Sequence, residues 1–297
     1  MKIKKSLGGR IFDVVNHLFF ICIIVVCILP IWHVVCASFS DATWVMSKSG
    51  LILRIKGFNL NGYKMVFQNK DIWGGYLNTI LYCIATTVIG LLVTVLIGYV
   101  ASRKELLWSN AIMLFASFTM IFNGGIISSY IINTQFLNLY NSRWAIILPS
   151  CFSAFYLILI RTAMLSVPES LIESAKLDGA SHMVILFRIM LPLIKATLAT
   201  IILYYMVGQW NSWFSAAIYL RDRSKFPLQL IIKEILISGD VTSTTNVSAA
   251  DYGSELVLYK QLIKYCTIVV STVPVFVFYP FIQKYFEKGV MVGAVKG

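Results

Sequence analysis

Ser166-Val-Pro168-Glu169-Ser-Leu-Ile-Glu173-Ser-Ala-Lys-Leu-Asp178-Gly179-Ala-Ser181-His-Met-Val-Ile-Leu-Phe-Arg-Ile-Met-Leu-Pro192 separates two long apolar runs and reads as a pair of short helices. Pro168 suits the first helical position, where the N–H it lacks would be unpaired in any case. Glu169 lies in the first turn, where a carboxylate complements the helix dipole. Gly179 supplies a left-handed residue that ends the first helix. Ser181 can cap a second, which continues to Leu191-Pro192. The first helix places Leu171, Ile172 and Ala175 on one face, with Glu173 and Asp178 nearby. Taken alone, such a helix fits either a groove on a partner or the membrane surface.

Outward from this loop the chain is apolar. A spanning helix needs about 20 mostly apolar residues, and six segments qualify, at about 11–37, 76–101, 109–132, 144–165, 196–219 and 263–283. The third is interrupted by Asn123-Gly124-Gly125, tolerable where a helix breaks beside a cavity or a partner. Pro149, Pro274 and Pro280 predict kinks in the fourth and sixth. Four basic residues, Lys2, Lys4, Lys5 and Arg10, crowd the first ten positions and place the N-terminus in the cytoplasm. Six spans return the C-terminus to the same side, and the loop 166–195 is then cytoplasmic. The apolar run from Ile11 to Ala37 is too long for the h-region of a cleaved signal peptide, about 7–15 residues, so it is expected to stay as a helix.

Composition agrees with this all-α, polytopic membrane class. Of 297 residues, 58% are hydrophobic and 13% charged, about half the charged share of a soluble domain. The net charge of +12 is spread between apolar runs, which points to loops beside lipid headgroups and not to nucleic acid. Cys22, Cys27, Cys36, Cys83, Cys151 and Cys266 lie in or at the ends of apolar segments without metal-ligand spacing, so neither a zinc site nor a disulfide framework is expected. His17, His33 and His182 are expected to be packed or interfacial residues and not proton relays. No GxxxxGK[ST] loop, HExxH motif or nucleophile elbow occurs, so no catalytic residue, metal site or cofactor is assigned to this chain. The whole chain, 1–297, is taken as one transmembrane domain.

Glu173-Ser-Ala-x-x-Asp178-Gly179-Ala180, followed by Phe187-x-Ile189-x-Leu191-Pro192, resembles the permease signature of ATP-binding-cassette importers. Gly75-Tyr-Leu-Asn78-Thr79, Trp210-Asn-x-Trp213-Phe-x-Ala216, Phe226-Pro-Leu-Gln229 and the tail from Gln283 to Gly297 resemble the carbohydrate-uptake, maltose-type branch, in particular its subfamily for complex oligosaccharides. Ser174 departs from the usual triplet but is small. Ala196 stands where a proline often follows the loop, which predicts a straighter start to the fifth helix.

The resemblance implies a type I importer permease of a bacterial plasma membrane, with both termini cytoplasmic. Its partners would be a second, homologous permease, a cytoplasmic ATPase dimer that binds ATP and magnesium, an extracellular sugar-binding lipoprotein and an oligosaccharide. Glu173, Ser174, Ala175, Asp178 and Gly179 are the coupling candidates: the acids for polar contacts, Ala175 for close packing, Gly179 for the bend. Candidates for the translocation path are Asn78, Thr79, Asn123, Gln209, Trp210, Asn211 and Trp213, because amides bond sugar hydroxyls and aromatic faces pack on pyranose C–H surfaces. Helix–helix glue or an aromatic belt is the competing role for these residues. Importers of amino acids, peptides or ions share the loop signature and form the alternative class; the tail and the Trp-Asn-x-Trp-Phe stretch favour sugar.

Overall fold

A computed structural model of the chain describes residues 7–103, 105–238 and 259–277, and the regular elements among them are helices. They are α1 (Leu7–Ser38), α2 (Ala42–Ser47), α3 (Asn61–Gln68), α4 (Lys70–Ser102), α5 (Ser109–Ile121), α6 (Gly125–Phe136), α7 (Trp144–Ser150), α8 (Ala154–Leu165), α9 (Glu169–Leu177), α10 (His182–Leu193), α11 (Lys195–Trp210), α12 (Phe214–Tyr219), α13 (Leu228–Ser238) and α14 (Tyr259–Val277). The basic cluster Lys2-x-Lys4-Lys5, Pro280, the end of the sixth segment and the tail 283–297 lie outside the described residues.

Three helices, α1, α4 and α14, are individually long and apolar enough to cross a membrane. Three bent pairs have matching composition: α5 with α6 at 116°, α7 with α8 at 42°, and α10 with α11 at 86°. Each break has a local cause. At Asn123-Gly124-Gly125 the chain needs a left-handed residue, Gly125 at φ +79°, and the Asn123 side chain accepts the Gly125 N–H at 2.9 Å. The segment expected as a span at 109–132 is therefore two helices, and the second leaves at a steep angle. Pro149 stands in the last turn of α7, just before the break at 151–153.

The fifth segment, expected as one helix over 196–219, ends at Trp210 instead. The Asn211 side chain turns back to the Val207 carbonyl at 3.0 Å, a short side chain competing with the helical ladder, and α12 restarts at Phe214. A sharp bend precedes the segment's beginning. Ile194 leaves helical geometry, φ −101° and ψ 19°, and the 86° bend falls there without a proline at position 196.

The described chain divides into two compact units. The first comprises, among the described residues, 7–70 with 234–238 and 259–273. Within it, Gly62 allows α3 to approach α14 so closely that a Cβ would lie 2.8 Å from the Cys266 sulfur. The Ser38 hydroxyl meets the Tyr63 hydroxyl at 2.8 Å. His33 accepts the Ile52 N–H at 2.8 Å and packs edge-on against Tyr265, the packed role expected of it. Residues of α1 from Ile11 to Ile28 are exposed all round. For so apolar a helix that is a surface for lipid or for other helices.

The second unit, 71–233 with 274–277 among the described residues, holds the residues of interest. One core gathers Val95 and Tyr99 of α4, Leu157, Ile160 and Met164 of α8, Ile172 and Ala175 of α9, Ile185, Leu186 and Met190 of α10, and Ile201 and Tyr205 of α11. A second gathers Tyr82, Ile146, Ile147, Cys151, Ala216, Leu220 and Leu230. Small residues let α4 approach its neighbours, as in membrane helices generally: a Cβ on Gly98 would reach 2.5 Å from the Ile160 methyl.

Candidate functional site

The loop forms the two helices that its caps predict. Glu169 lies in the first turn of α9, Gly179 adopts φ +79° just past its end, and the Ser181 hydroxyl accepts the Val184 N–H at the start of α10. Pro168 stands one place earlier than expected, as an extended N-cap residue with ψ 128°. Residues 185–190 of α10 are wound as a π-helix.

The buried face of α9 differs from the sequence reading at one position. Ile172 and Ala175 are buried in the chain's own core, whereas Leu171 is 45% exposed. Ala175 thus packs within the chain. Glu173, Ser174, Leu177, Asp178 and Gly179 form the outward side, with Leu177 90% exposed. The loop is tied to the end of α4 by polar contacts the sequence reading missed. Lys176 donates to Glu105 at 2.7 Å and thereby holds the Glu105 carboxyl below the usual carboxylate range. Tyr99 Oη lies 2.9 Å from His182 Nδ1, and the Arg103 guanidinium sits 4.5 Å over the Tyr99 ring. The polar linker 102–105 between two apolar runs is the signal that could have found them.

At the other end of α4, Asn78 and Thr79 are buried and committed to the chain's own backbone. The Asn78 amide donates to the Ser224 and Phe226 carbonyls at 2.8 and 3.1 Å and accepts from Arg143 at 3.3 Å. Thr79 accepts the Leu228 N–H at 2.8 Å, and Tyr82 donates to the Lys225 carbonyl at 2.7 Å. Gly75 completes the fit, since a Cβ there would lie 3.0 Å from the Leu228 Cα. These groups clamp the turn 222–228. Arg223 pairs with Asp71 at 2.7 Å, and Ser224, through its hydroxyl and N–H, keeps the Asp222 carboxyl below its ordinary pKa. Asn141, in the left-handed region at φ 55°, accepts the N–H groups of Arg221 and Asp222.

Of the other path candidates, the fold brings Gln209 to a cavity. Gln209 is 5% exposed and lines a space of about 210 Å³ together with Thr86, Ser150, Ser153, Tyr156, Tyr204, Tyr205, Gly208 and Ser212. The Tyr156 and Tyr204 rings stack at 5.7 Å. The Tyr205 hydroxyl is fixed by Thr94 at 2.8 Å and the Cys151 carbonyl at 3.2 Å. The cavity is smaller than the roughly 300–1,000 Å³ of a complete small-molecule site, so it can be one part of a larger path. It opens beside the helix breaks at 151–153 and 211–213, where backbone leaves room that unbroken helices would fill. Asn123 and Asn211 serve the breaks described above. Trp210 packs beside Tyr76 at 6.2 Å, and Trp213 carries the Lys233 ammonium 3.1 Å above its ring. Hydroxyls at 86, 150, 153 and 156 inside apolar runs, and the Tyr204-Tyr205 pair, are the sequence signal for this cavity.

Residues 70–292 match the family described as binding-protein-dependent transport system inner membrane component. Over 289 residues the chain is 36% identical to the polygalacturonan/rhamnogalacturonan transport system permease protein YtcP of Bacillus subtilis, covering 97% of this chain and 99% of that one. It is 35% identical over 290 residues to Protein LplC of the same organism, covering 98% and 96%. Among solved structures, a chain from a bacterial ABC transporter involved in the import of the acidic polysaccharide alginate superposes with a TM-score of 0.86 at 30% identity, over 96% of this chain and 100% of that chain.

Proposed function

Because this chain belongs to the family of binding-protein-dependent transport system inner membrane components, we infer that it is the membrane permease subunit of an ABC importer for oligosaccharides or polysaccharide fragments. The observation that carries this is the end-to-end likeness, in sequence and fold, to permeases of saccharide importers. The saccharide relatives favour this reading over the alternative, an importer of amino acids, peptides or ions.

In this reading α1, α4, α14, the bent pairs α5–α6 and α7–α8, and α11 with α12 make six spans in the plasma membrane, with both termini and the loop 166–195, which contains α9 and α10, on the cytoplasmic side. A second permease completes the path, and a separate ATPase dimer binds ATP and magnesium. An extracellular lipoprotein delivers the sugar. The ATPase grips the outward side of α9, where Glu173, Ser174 and Asp178 offer polar contacts and Leu177 an apolar one. Ala175 and Ile172 hold α9 against the permease itself, and Gly179 sets the turn into α10. The hydroxyl-lined cavity at Gln209 forms part of the path, offering hydroxyls and an amide to sugar hydroxyls and tyrosine faces to the ring.

The substrate we propose is an acidic oligosaccharide carrying uronate units. The relatives' names, polygalacturonan and alginate, support it. The test is purification of the tagged chain with its co-purifying subunits, reconstitution into liposomes, and uptake of oligogalacturonides, alginate fragments and neutral maltodextrins with and without internal ATP. ATP-dependent uptake with a preference for the acidic sugars supports the proposal. Uptake of maltodextrins alone overturns the acidic preference, and absence of any ATP-dependent saccharide uptake overturns the function.

A further inference from the structure

α4 differs from the other membrane helices of its unit in being unbroken. It runs 33 residues, Lys70–Ser102, with no proline inside, while the bent pairs of the same unit turn by 42°, 86° and 116°. From Asn78 to Tyr99 is about 30 Å at roughly 1.5 Å per residue, the thickness of a bilayer's hydrocarbon core. One end of α4 holds the turn 224–228 through Asn78, Thr79 and Tyr82. Midway, Thr86 lines the cavity and Thr94 fixes its Tyr205 wall. The other end, through Tyr99 on the helix and Arg103 and Glu105 just beyond it, meets the two-helix loop.

That meeting is made at three separate points. Glu105 takes Lys176 of α9 at 2.7 Å. Tyr99 Oη meets His182 at the first residue of α10, 2.9 Å away. Arg103 Nη2 lies 2.7 Å from the sulfur of Met190, near the end of α10 and fully buried. Arg103 also stacks on Tyr99, which joins two of the points into one assembly. Three contacts spread over two helices fix orientation as well as position, which one contact cannot do. The Glu105–Lys176 pair is partly exposed and holds little by itself; the part-buried Arg103 reaches Tyr99 and Met190, which lie within the core that also takes Ile172 and Ala175.

We propose that Tyr99, Arg103 and Glu105 form a rigid joint between the two-helix loop and α4, so that a displacement of the loop is carried by α4 to the cavity wall and to the turn 224–228. These are positioning residues, since none contacts the cavity, and the inference rests on the importer reading above. A rigid joint moves as one body, whereas a loop that slides on α4 would change these contacts in each cycle.

The test uses the whole reconstituted importer and reads uptake per ATP hydrolysed, with co-purification of the ATPase as the assembly control. Arg103→Met and Tyr99→Leu are expected to keep the ATPase bound and hydrolysing while uptake per ATP falls at least about fivefold, the lower edge of coupling between distant sites. Tyr99→Phe retains the ring under Arg103 and is expected to fall less. Glu105→Lys lowers the ratio and Lys176→Glu in the same chain restores it; because both groups are partly exposed, this pair reports even where a buried variant fails to assemble. In the last arm, Glu105→Cys with Lys176→Cys is bridged by a short bismaleimide, and bridged transporters are expected to keep transporting. Wild-type uptake per ATP in Arg103→Met, or loss of transport on bridging, overturns the joint. A wild-type complex with no ATP-dependent saccharide uptake overturns the importer reading instead, so the two failures are distinct.

Discussion

Two groups of buried polar side chains in the second unit have opposite surroundings. At Asn78, Thr79 and Tyr82 the polar atoms meet backbone groups of the turn 224–228. Around Gln209, hydroxyls and an amide line a cavity of about 210 Å³. Both groups lie in apolar helices, where a polar side chain is costly unless it finds a partner. The first group finds its partners within the chain and acts as structure. The second faces space that a solute's own hydroxyls could fill. What separates the two groups is whether the polar atoms face the chain's own backbone or open space, not which residue types are present.

The largest effect expected from this contrast is at Asn78. Asn78→Leu would leave the Ser224 and Phe226 carbonyls, in part-buried bonds, without their donor. At the lower end of the roughly 1–3 kcal/mol for each unsatisfied group, since water reaches the part-buried carbonyls, a loss of about 2 kcal/mol is expected, read as a fall in the thermal midpoint of the detergent-purified chain. A stable Asn78→Leu protein with impaired uptake would instead move Asn78 into the path and erase the contrast. Next is the joint between the regions, Gly90 on α4. A Cβ there would lie 2.8 Å from the Tyr205 ring and 3.0 Å from the Cys151 carbonyl. Gly90→Val is expected to cost about 1–3 kcal/mol by overpacking and, by displacing Tyr205, to lower uptake as well. Unchanged stability would show that the Tyr205 wall yields freely.

Gln209→Leu should behave in the opposite way to Asn78→Leu. Its amide lines the cavity, so removing it leaves no buried backbone group stranded, and stability should hold within about 0.5 kcal/mol. The half-saturation concentration for uptake should rise roughly fivefold, the equivalent of about 1 kcal/mol for one hydrogen bond to the solute. A drop in thermal midpoint comparable to that of Asn78→Leu would mean the cavity is a packing defect and not a path.

The same contrast explains what was readable in the chain. The apolar runs declared the membrane class by composition, and Glu169, Gly179 and Ser181 declared the loop, because caps act over three or four residues. The breaks at Asn123-Gly124-Gly125 and after Pro149 were local too. The break at Asn211 was missed since nothing in Trp210-Asn-x-Trp outranked the apolar pattern around it. Asn78 and Gln209 looked alike, because the partners of Asn78 stand about 146 positions away and no local spacing shows them. Leu171 and Ile172 were grouped for a related reason: the 3.6-residue period gives a face, but only tertiary packing chose Ile172 and Ala175 for burial.

The smallest effect concerns the turn that Asn78 holds. Asp222 accepts from the Ser224 N–H at 3.0 Å and its hydroxyl at 2.8 Å, with Lys225 at 3.6 Å, and these contacts depress its pKa. A carboxyl whose folded pKa is lowered contributes stability that is present above the unfolded value, about 3.9, and is lost as pH falls through the lower folded value. Protection of the Ser224 and Leu228 amides from hydrogen exchange, normalised for the intrinsic pH dependence of exchange, should therefore stay flat from pH 8 to 5. The difference between wild type and Asp222→Ala should shrink only below about pH 4. The effect is small because Asp222 is solvent-exposed and the clamp at Asn78 and Thr79 carries the turn. A loss of protection already between pH 7 and 6 would place a different titrating group in control of the turn, and the closed, self-satisfied character assigned to this end of α4 would have to be given up.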